Sequence, residues 1–213
     1  MKKIFIKPVM LVGLLAGVFS SCVKEDDFAI PALKIPFYSE KFQDILPGGE
    51  IVDNTTFDLP GWTNFSEKGT LKWKEQIYRR DGYAEFNSYG SGELENVSWL
   101  ISPTVDISQY MDAKFTFQSA QNFISNDGNK LEVYVSGDFD GTDVLGATWT
   151  KMDAVVATKE TKGYAFVPAG EIDLAAFQSA GKVNIAFKAT GSGSNTSLDG
   201  LFQVNDLYVY TTK

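Results

Sequence analysis

From Phe37 onward, apolar and polar residues alternate with a period of two. "LKWKEQIY" puts Leu71, Trp73 and Ile77 on one face and Lys72, Lys74 and Gln76 on the other. "AKFTFQSA" repeats the pattern with Phe115 and Phe117, "NKLEVYVSG" with Leu131, Val133 and Val135, and "KVNIAFKAT" with Val183, Ile185 and Phe187. "LFQVNDLYVY" reads as the final strand. Such alternation marks strands with one face in a core and the other in water. Between these runs stand "NSYGSGE", "SNDGN", "GDFDGTD" and "GSGSNTSLDG", whose Gly, Asn, Asp and Ser content predicts turns. Only "EIDLAAFQSAG" suggests a helix, of one or two turns, with Asp173 placed to cap it. Roughly ten strands with little helix, separated by turn signals, predict an all-β chain folded as a β-sandwich.

The first 36 residues differ. Lys2, Lys3 and Lys7 make a positive start; an apolar run from Val9 to Phe19 follows, then Ser20, Ser21 and Cys22. The run falls short of the ~20 residues needed to span a bilayer as a helix. A charged start, an apolar middle and small residues describe a secretory leader over residues 1–21. Cys22 is the only cysteine. Its place directly after the small residues resembles the lipobox of bacterial lipoproteins, in which the thiol is acylated and heads the mature chain. The other reading is a secreted protein with an unpaired thiol, a liability in an oxidising compartment. Several acyl chains anchor stably, since each buried CH₂ contributes ~0.8 kcal/mol.

Lys24-Glu25-Asp26-Asp27 resembles the surface-export signal of Bacteroidota-type lipoproteins, and is alternatively a solvated linker. Residues 22–36 read as a tether, with Pro31 and Pro36 keeping it extended, ahead of a single domain over residues 37–213. The expectation is a protein on the bacterial outer membrane, facing outward and touching the membrane only through its lipid.

Composition narrows the chemistry. The net charge is −8, and loss of the leader's lysines would make it more negative. That argues against a broad basic surface for nucleic acid or anionic lipid. There is no histidine, which removes imidazole as a base, a proton shuttle or a zinc ligand. With Cys22 committed to lipid, Ser-His-Asp and Cys-His arrangements are absent, and so are disulfides. The fold must rest on its core, for which Phe 16, Tyr 9 and Trp 4 provide large apolar areas. Carboxylates remain. A glycosidase pair stands ~5–5.5 Å apart for retention or ~6.5–9.5 Å for inversion, and nothing singles out such a pair. A hydrolase or lyase is therefore the weakest reading, and no enzyme is expected.

Several segments come in a recognisable order: "FYSEKFQ", "LPGWTNF", "SWLISPTVDISQY", "LEVYVSGDFDGTDVLGATWTKM", "IDLAAFQSAGKVNIAFKATG" and "LFQVNDLYVY". Together they resemble the choice-of-anchor J or cleaved-adhesin domains, in a lipoprotein branch of unassigned function. The resemblance implies a two-sheet jelly roll of the galactose-binding-like and carbohydrate-binding-module-like kind. It implies a binding or adhesion role, although fold alone assigns no ligand. Similar jelly rolls hold a structural calcium between an acid of the first strand and an Asp of the last, and Glu40 and Asp206 occupy the matching places. An alternative set is Asp138, Asp140 and Asp143 in "GDFDGTD". Three acids fall short of the six to eight oxygens calcium takes, and the segment is also a plain turn.

Counting strand directions from residue 70 puts the turns at 89–96, 121–129 and 191–200 at one end. That end presents Tyr89, Phe123, Asn126, Asp127, Asn195 and Asp199. Aromatic rings beside amide and carboxylate oxygens suit sugar hydroxyls, and loops on a rigid scaffold are where binding residues concentrate. Ordinary polar loops are the other reading. The opposite end carries Tyr78, Arg79 and Arg80. Trp62, Trp73, Trp99 and Trp149 read as core, because alternation turns the indoles inward. The partner expected is a glycan or a cell-surface protein. The second reading is a structural component of an envelope complex.

Overall fold

The structure is a computed structural model and describes residues 33–43, 49 and 52–212. The leader, Cys22, the Lys24–Asp27 cluster and most of the tether lie outside the described residues. In chain order the strands are β1 (Lys34–Glu40), β2 (Thr55–Thr56), β3 (Thr63–Lys68), β4 (Lys74–Tyr78), β5 (Asp81–Asn87), β6 (Asn96–Ile101) and β7 (Val105–Asp106). There follow β8 (Lys114–Asn122), β9 (Lys130–Ser136), β10 (Thr150–Lys151), β11 (Val167–Pro168), β12 (Ile172–Asp173), β13 (Lys182–Gly191) and β14 (Leu201–Thr212).

One sheet runs β11-β8-β14-β5-β4-β2, with β1 also on β14 and β12 on β8. The other runs β10-β9-β13-β6-β3, with β7 on β13. Pairing is antiparallel throughout, as in the central β14–β8 and β13–β9 ladders. The result is a two-sheet jelly-roll sandwich.

The alternation read from the sequence builds its core. β8 contributes Phe115 and Phe117, β9 Leu131, Val133 and Val135, and β13 Val183, Ile185 and Phe187. Beside β8 in the same sheet, and facing β9 and β13 across the core, β14 contributes Phe202, Val204, Leu207 and Val209. Phe117 meets Phe187 edge-on at 4.9 Å, an arrangement favoured by the ring quadrupoles. The inward phase of β14 slips between Val204 and Leu207. The pairing register shifts between Asn205 and Tyr208, and Asp206 takes a left-handed φ of 53°. This bulge absorbs one residue, so Leu207 and Val209 stay in the core and do not swing to solvent.

Four features differ from the pattern. β1 starts at Lys34, so Pro36 lies in a strand where a tether is expected; the register shift between Pro36 and Tyr38 accommodates it. Glu75 takes the inward position between Trp73 and Ile77 and is buried, with Oε1 accepting the Asp58 N–H at 3.2 Å. The helix is a 3-10 turn over Ala175–Ala180 that ends at a left-handed Gly181, and Asp173 accepts the Ala175 N–H at 2.6 Å. Finally, β6 is buried on both faces. Leu100 enters the main core, while Trp99 and Ile101 pack outward against Phe139, Val144 and Ala186, with Trp149 alongside. The 137–149 connection thus covers the outer face of this sheet. Period two correctly puts indoles in apolar contact there, on the face opposite to the main core.

Candidate functional site

Three connections pass from one sheet to the other: residues 88–95 from β5 to β6, 123–129 from β8 to β9, and 192–200 from β13 to β14. β5 and β8 both run antiparallel to β14, so both end where β14 begins. The three connections therefore meet at one end of the sandwich, as strand counting predicts. Backbone bonds tie them together: Ser88 N–H to Gly200 O at 3.0 Å, and Gly193 N–H to Glu93 O at 2.9 Å. Asn129 Nδ2 donates to Leu198 O at 2.6 Å.

Tyr89, Phe123 and Asp199 come together here. With Asn87 and Gly200 they line a cleft of about 440 Å³, within the ~300–1,000 Å³ range of small-ligand sites. Tyr89 is 75% exposed and Phe123 69%. Phe123 has a left-handed φ of 63°, a conformation that costs ~1–3 kcal/mol in a residue with a side chain. The ring stands in solvent while its neighbour Ile124 packs against the core. The Ile124 N–H is held by Gln121 Oε1 at 3.2 Å. Asn87 Oδ1 accepts the Tyr89 N–H at 3.1 Å, which fixes that turn. Asp199 lines the cleft, and among the described residues its carboxylate makes no hydrogen bond or ion pair.

The other three expected residues stand apart from this cleft. Asn126 Oδ1 accepts the Gly128 N–H at 2.8 Å, and Asn195 Oδ1 accepts the Ser197 N–H at 3.0 Å. Both amides shape turns. Asp127 pairs with Lys159 at 2.6 Å. Asn126 and Asp127 line a separate hollow of about 290 Å³, together with Asn129 and Lys159.

A neighbouring groove escaped the sequence reading. It measures about 280 Å³ and is lined by Lys72, Lys74, Gln76, Glu85, Asn87 and Tyr89, among others. Its floor is the outward face of β4 and β5. Ala84 and Phe86 go to the core, so Tyr83, Glu85 and Asn87 point out. Glu85 is only 9% exposed; burial raises its pKa, opposed by hydrogen bonds from Gln203 and Asn87. Gln203 Nε2 donates to Glu85 Oε2 at 2.9 Å. Burial, with Glu85 nearby, also pushes the Tyr83 hydroxyl up to about 12. The signal was present in "YAEFN", where polar residues occupy every outward position.

The acids expected to hold calcium have protein partners. Glu40 and Asp206 do lie on paired strands, with Glu40 opposite Leu207. Glu40 accepts from the Phe42 N–H at 2.8 Å and from Trp62 Nε1 at 3.2 Å. Asp206, turned aside by the bulge, binds Lys41 at 2.6 Å and Gln118 at 3.3 Å. The two carboxylates thus serve different donors. Asp138, Asp140 and Asp143 line a hollow of about 130 Å³, and each caps backbone N–H groups: Thr148, Thr142 and Gly146. Hydrogen bonds from Ser136 and Thr148 lower the Asp138 pKa, and those from Asp143 and Thr142 lower that of Asp140. Among the described residues no three His, Cys, Asp or Glu side chains form a metal-binding group.

At the opposite end, Arg79 and Arg80 form the two-residue turn of the β4–β5 hairpin, with φ of 53° and 70°. Two positive φ values match the twist of a tight hairpin.

No family model matches the chain, and no curated protein matches it. Solved structures do. The K1 cleaved adhesin domain of Lys-gingipain from Porphyromonas gingivalis W83 is similar at a TM-score of 0.50 and 18% identity, over 83% of this chain and 98% of that one. The K3 domain of the same protein is similar at 0.50 and 12%, over 83% and 100%. A CBM22-1 xylan-binding domain from Paenibacillus barcinonensis Xyn10C overlays at 0.44 and 10%, over 84% and 96%. The likeness to the adhesin domains concerns the fold.

Proposed function

We propose that this protein is a non-catalytic binding module that captures glycans through the cleft between Tyr89 and Phe123. One observation carries the reading: two exposed rings flank an unspent carboxylate and an amide in a cleft built on cross-braced loops. Flat rings bury the C–H faces of sugars, and Asp199 and Asn87 accept or donate to hydroxyls. The rigid sandwich keeps the site open before the ligand arrives, which lowers the ordering cost of binding. In this reading Cys22 carries lipid and the module is displayed outward from the outer membrane.

Two experiments test this. The full-length protein on a glycan array should give saturable signals that are lost in the Tyr89→Ala/Phe123→Ala double variant. A silent array, with stable co-purification of an envelope protein, would support the assembly-component reading. For the anchor, Cys22→Ala should move the protein from the membrane fraction to the soluble one. Continued membrane retention of that variant contradicts lipidation.

A further inference from the structure

The cleft at Tyr89 and Phe123 does not stand alone. Asn87 and Tyr89 line both it and the groove over β4 and β5. The two hollows, about 440 and 280 Å³, therefore adjoin across one shared wall. The wall is fixed, because the Asn87 side chain holds the Tyr89 backbone at 3.1 Å. The groove presents a chemistry different from that of the cleft. Its polar lining includes the exposed Lys72 and Lys74 and the half-buried Gln76, and Lys74 and Gln76 both donate to Asn54 Oδ1, at 3.1 and 3.5 Å, near the buried Glu85. Beyond the shared Tyr89 ring the groove offers long hydrogen-bonding side chains, which suit hydroxyls presented edge-on, whereas the cleft pairs Tyr89 with a second ring, Phe123, and suits a stacked sugar.

Resting on the glycan-binding reading above, we propose that the ligand is a linear oligosaccharide gripped along its length. One sugar stacks at Tyr89 and Phe123, and the next residues of the chain cross Asn87 into the Lys74–Gln76 groove. A ligand that fills the cleft has a direct continuation there, and a site built only for a terminal sugar would leave these groups idle.

The experiment is calorimetric titration of the full-length protein with the monomer, dimer and hexamer of the sugars in xylan, mannan, cellulose and chitin. For the sugar that binds, the hexamer should exceed the monomer in affinity by roughly tenfold or more. Lys74→Ala and Gln76→Ala should erase that gain while leaving monomer binding and melting temperature unchanged; Phe123→Ala should weaken monomer and hexamer alike. Equal affinity for monomer and hexamer, or a hexamer gain that survives in both groove variants, overturns the extended site and leaves the glycan-binding reading standing. No heat with any sugar, or saturable binding of a protein in its place, overturns both.

Discussion

Glu85 and Asp112 are carboxylates in opposite situations, and their titrations act on stability with opposite signs. Burial raises the Glu85 pKa. Its folded pKa lies above the unfolded value of about 4, so its ionisation opposes folding once pH rises through that interval. Glu85→Gln keeps an acceptor for Gln203 and removes this penalty. The variant should melt higher than the parent at pH 7 and equally at pH 3; an equal difference at both would mean that packing, not charge, is responsible. Asp112 is exposed, and hydrogen bonds from Thr211 and Thr212 hold its pKa down to about 2. Single residues were unevenly legible in the sequence. Tyr89, Phe123 and Asp199, which line one cleft, stand out in the sequence as aromatic and acidic residues in turns. Asn87 and Glu85 were missed, because a polar residue in the outward phase of a strand looks the same whether it faces bulk water or a groove.

β14 organises the elements, pairing with β1, β5 and β8. Gly200 leads into it at φ 144°, and a Cβ there would approach Ile124 Cδ1 to 2.6 Å and Asn122 O to 3.2 Å. Gly200→Ala should thus cost about 1–3 kcal/mol by overpacking, lowering the melting point by roughly 2–4 °C for each kcal/mol at this chain length. An unchanged melting point would show that the loop bundle is looser than described. Strands with strict alternation, such as β8, β9 and β13, were readable from sequence. The Asp206 bulge shows in the sequence only as a change of phase between Val204 and Leu207 in "QVNDLYV", which is passed over when the run is taken as one strand. The two-residue strands such as β7 and β10 exist only through their neighbours' free edges, and so carry no local signal.

At the scale of the whole molecule, ion pairs and caps fasten the sandwich where β1 starts and β14 ends. Lys34 and Lys114 bind Glu171 at 2.8 and 3.2 Å and hold its pKa down to about 2. With Asp112 it forms a pair of carboxylates whose folded pKa values lie below the unfolded ones. Their stabilisation is complete above about pH 4 and is lost as pH falls toward 2. The melting temperature should decline over that window, and Glu171→Gln with Asp112→Asn should flatten the decline, modestly, because exposed pairs are screened. A decline that is as steep in the double variant would place the acid sensitivity elsewhere. The architecture was legible as a whole: period-two runs and the lack of histidine led to a sandwich without imidazole chemistry. Which loops meet was legible too, because strand parity decides it. The depth and walls of the cleft were not, since they depend on the bulges and glycine approaches that set loop heights. A glycan-binding module requires that this cleft hold sugar. Calorimetric titration of the intact protein with the glycan giving the strongest array signal should yield a saturable heat that vanishes in the Tyr89→Ala/Phe123→Ala variant at an unaltered melting temperature. Undiminished heat in that variant would contradict it.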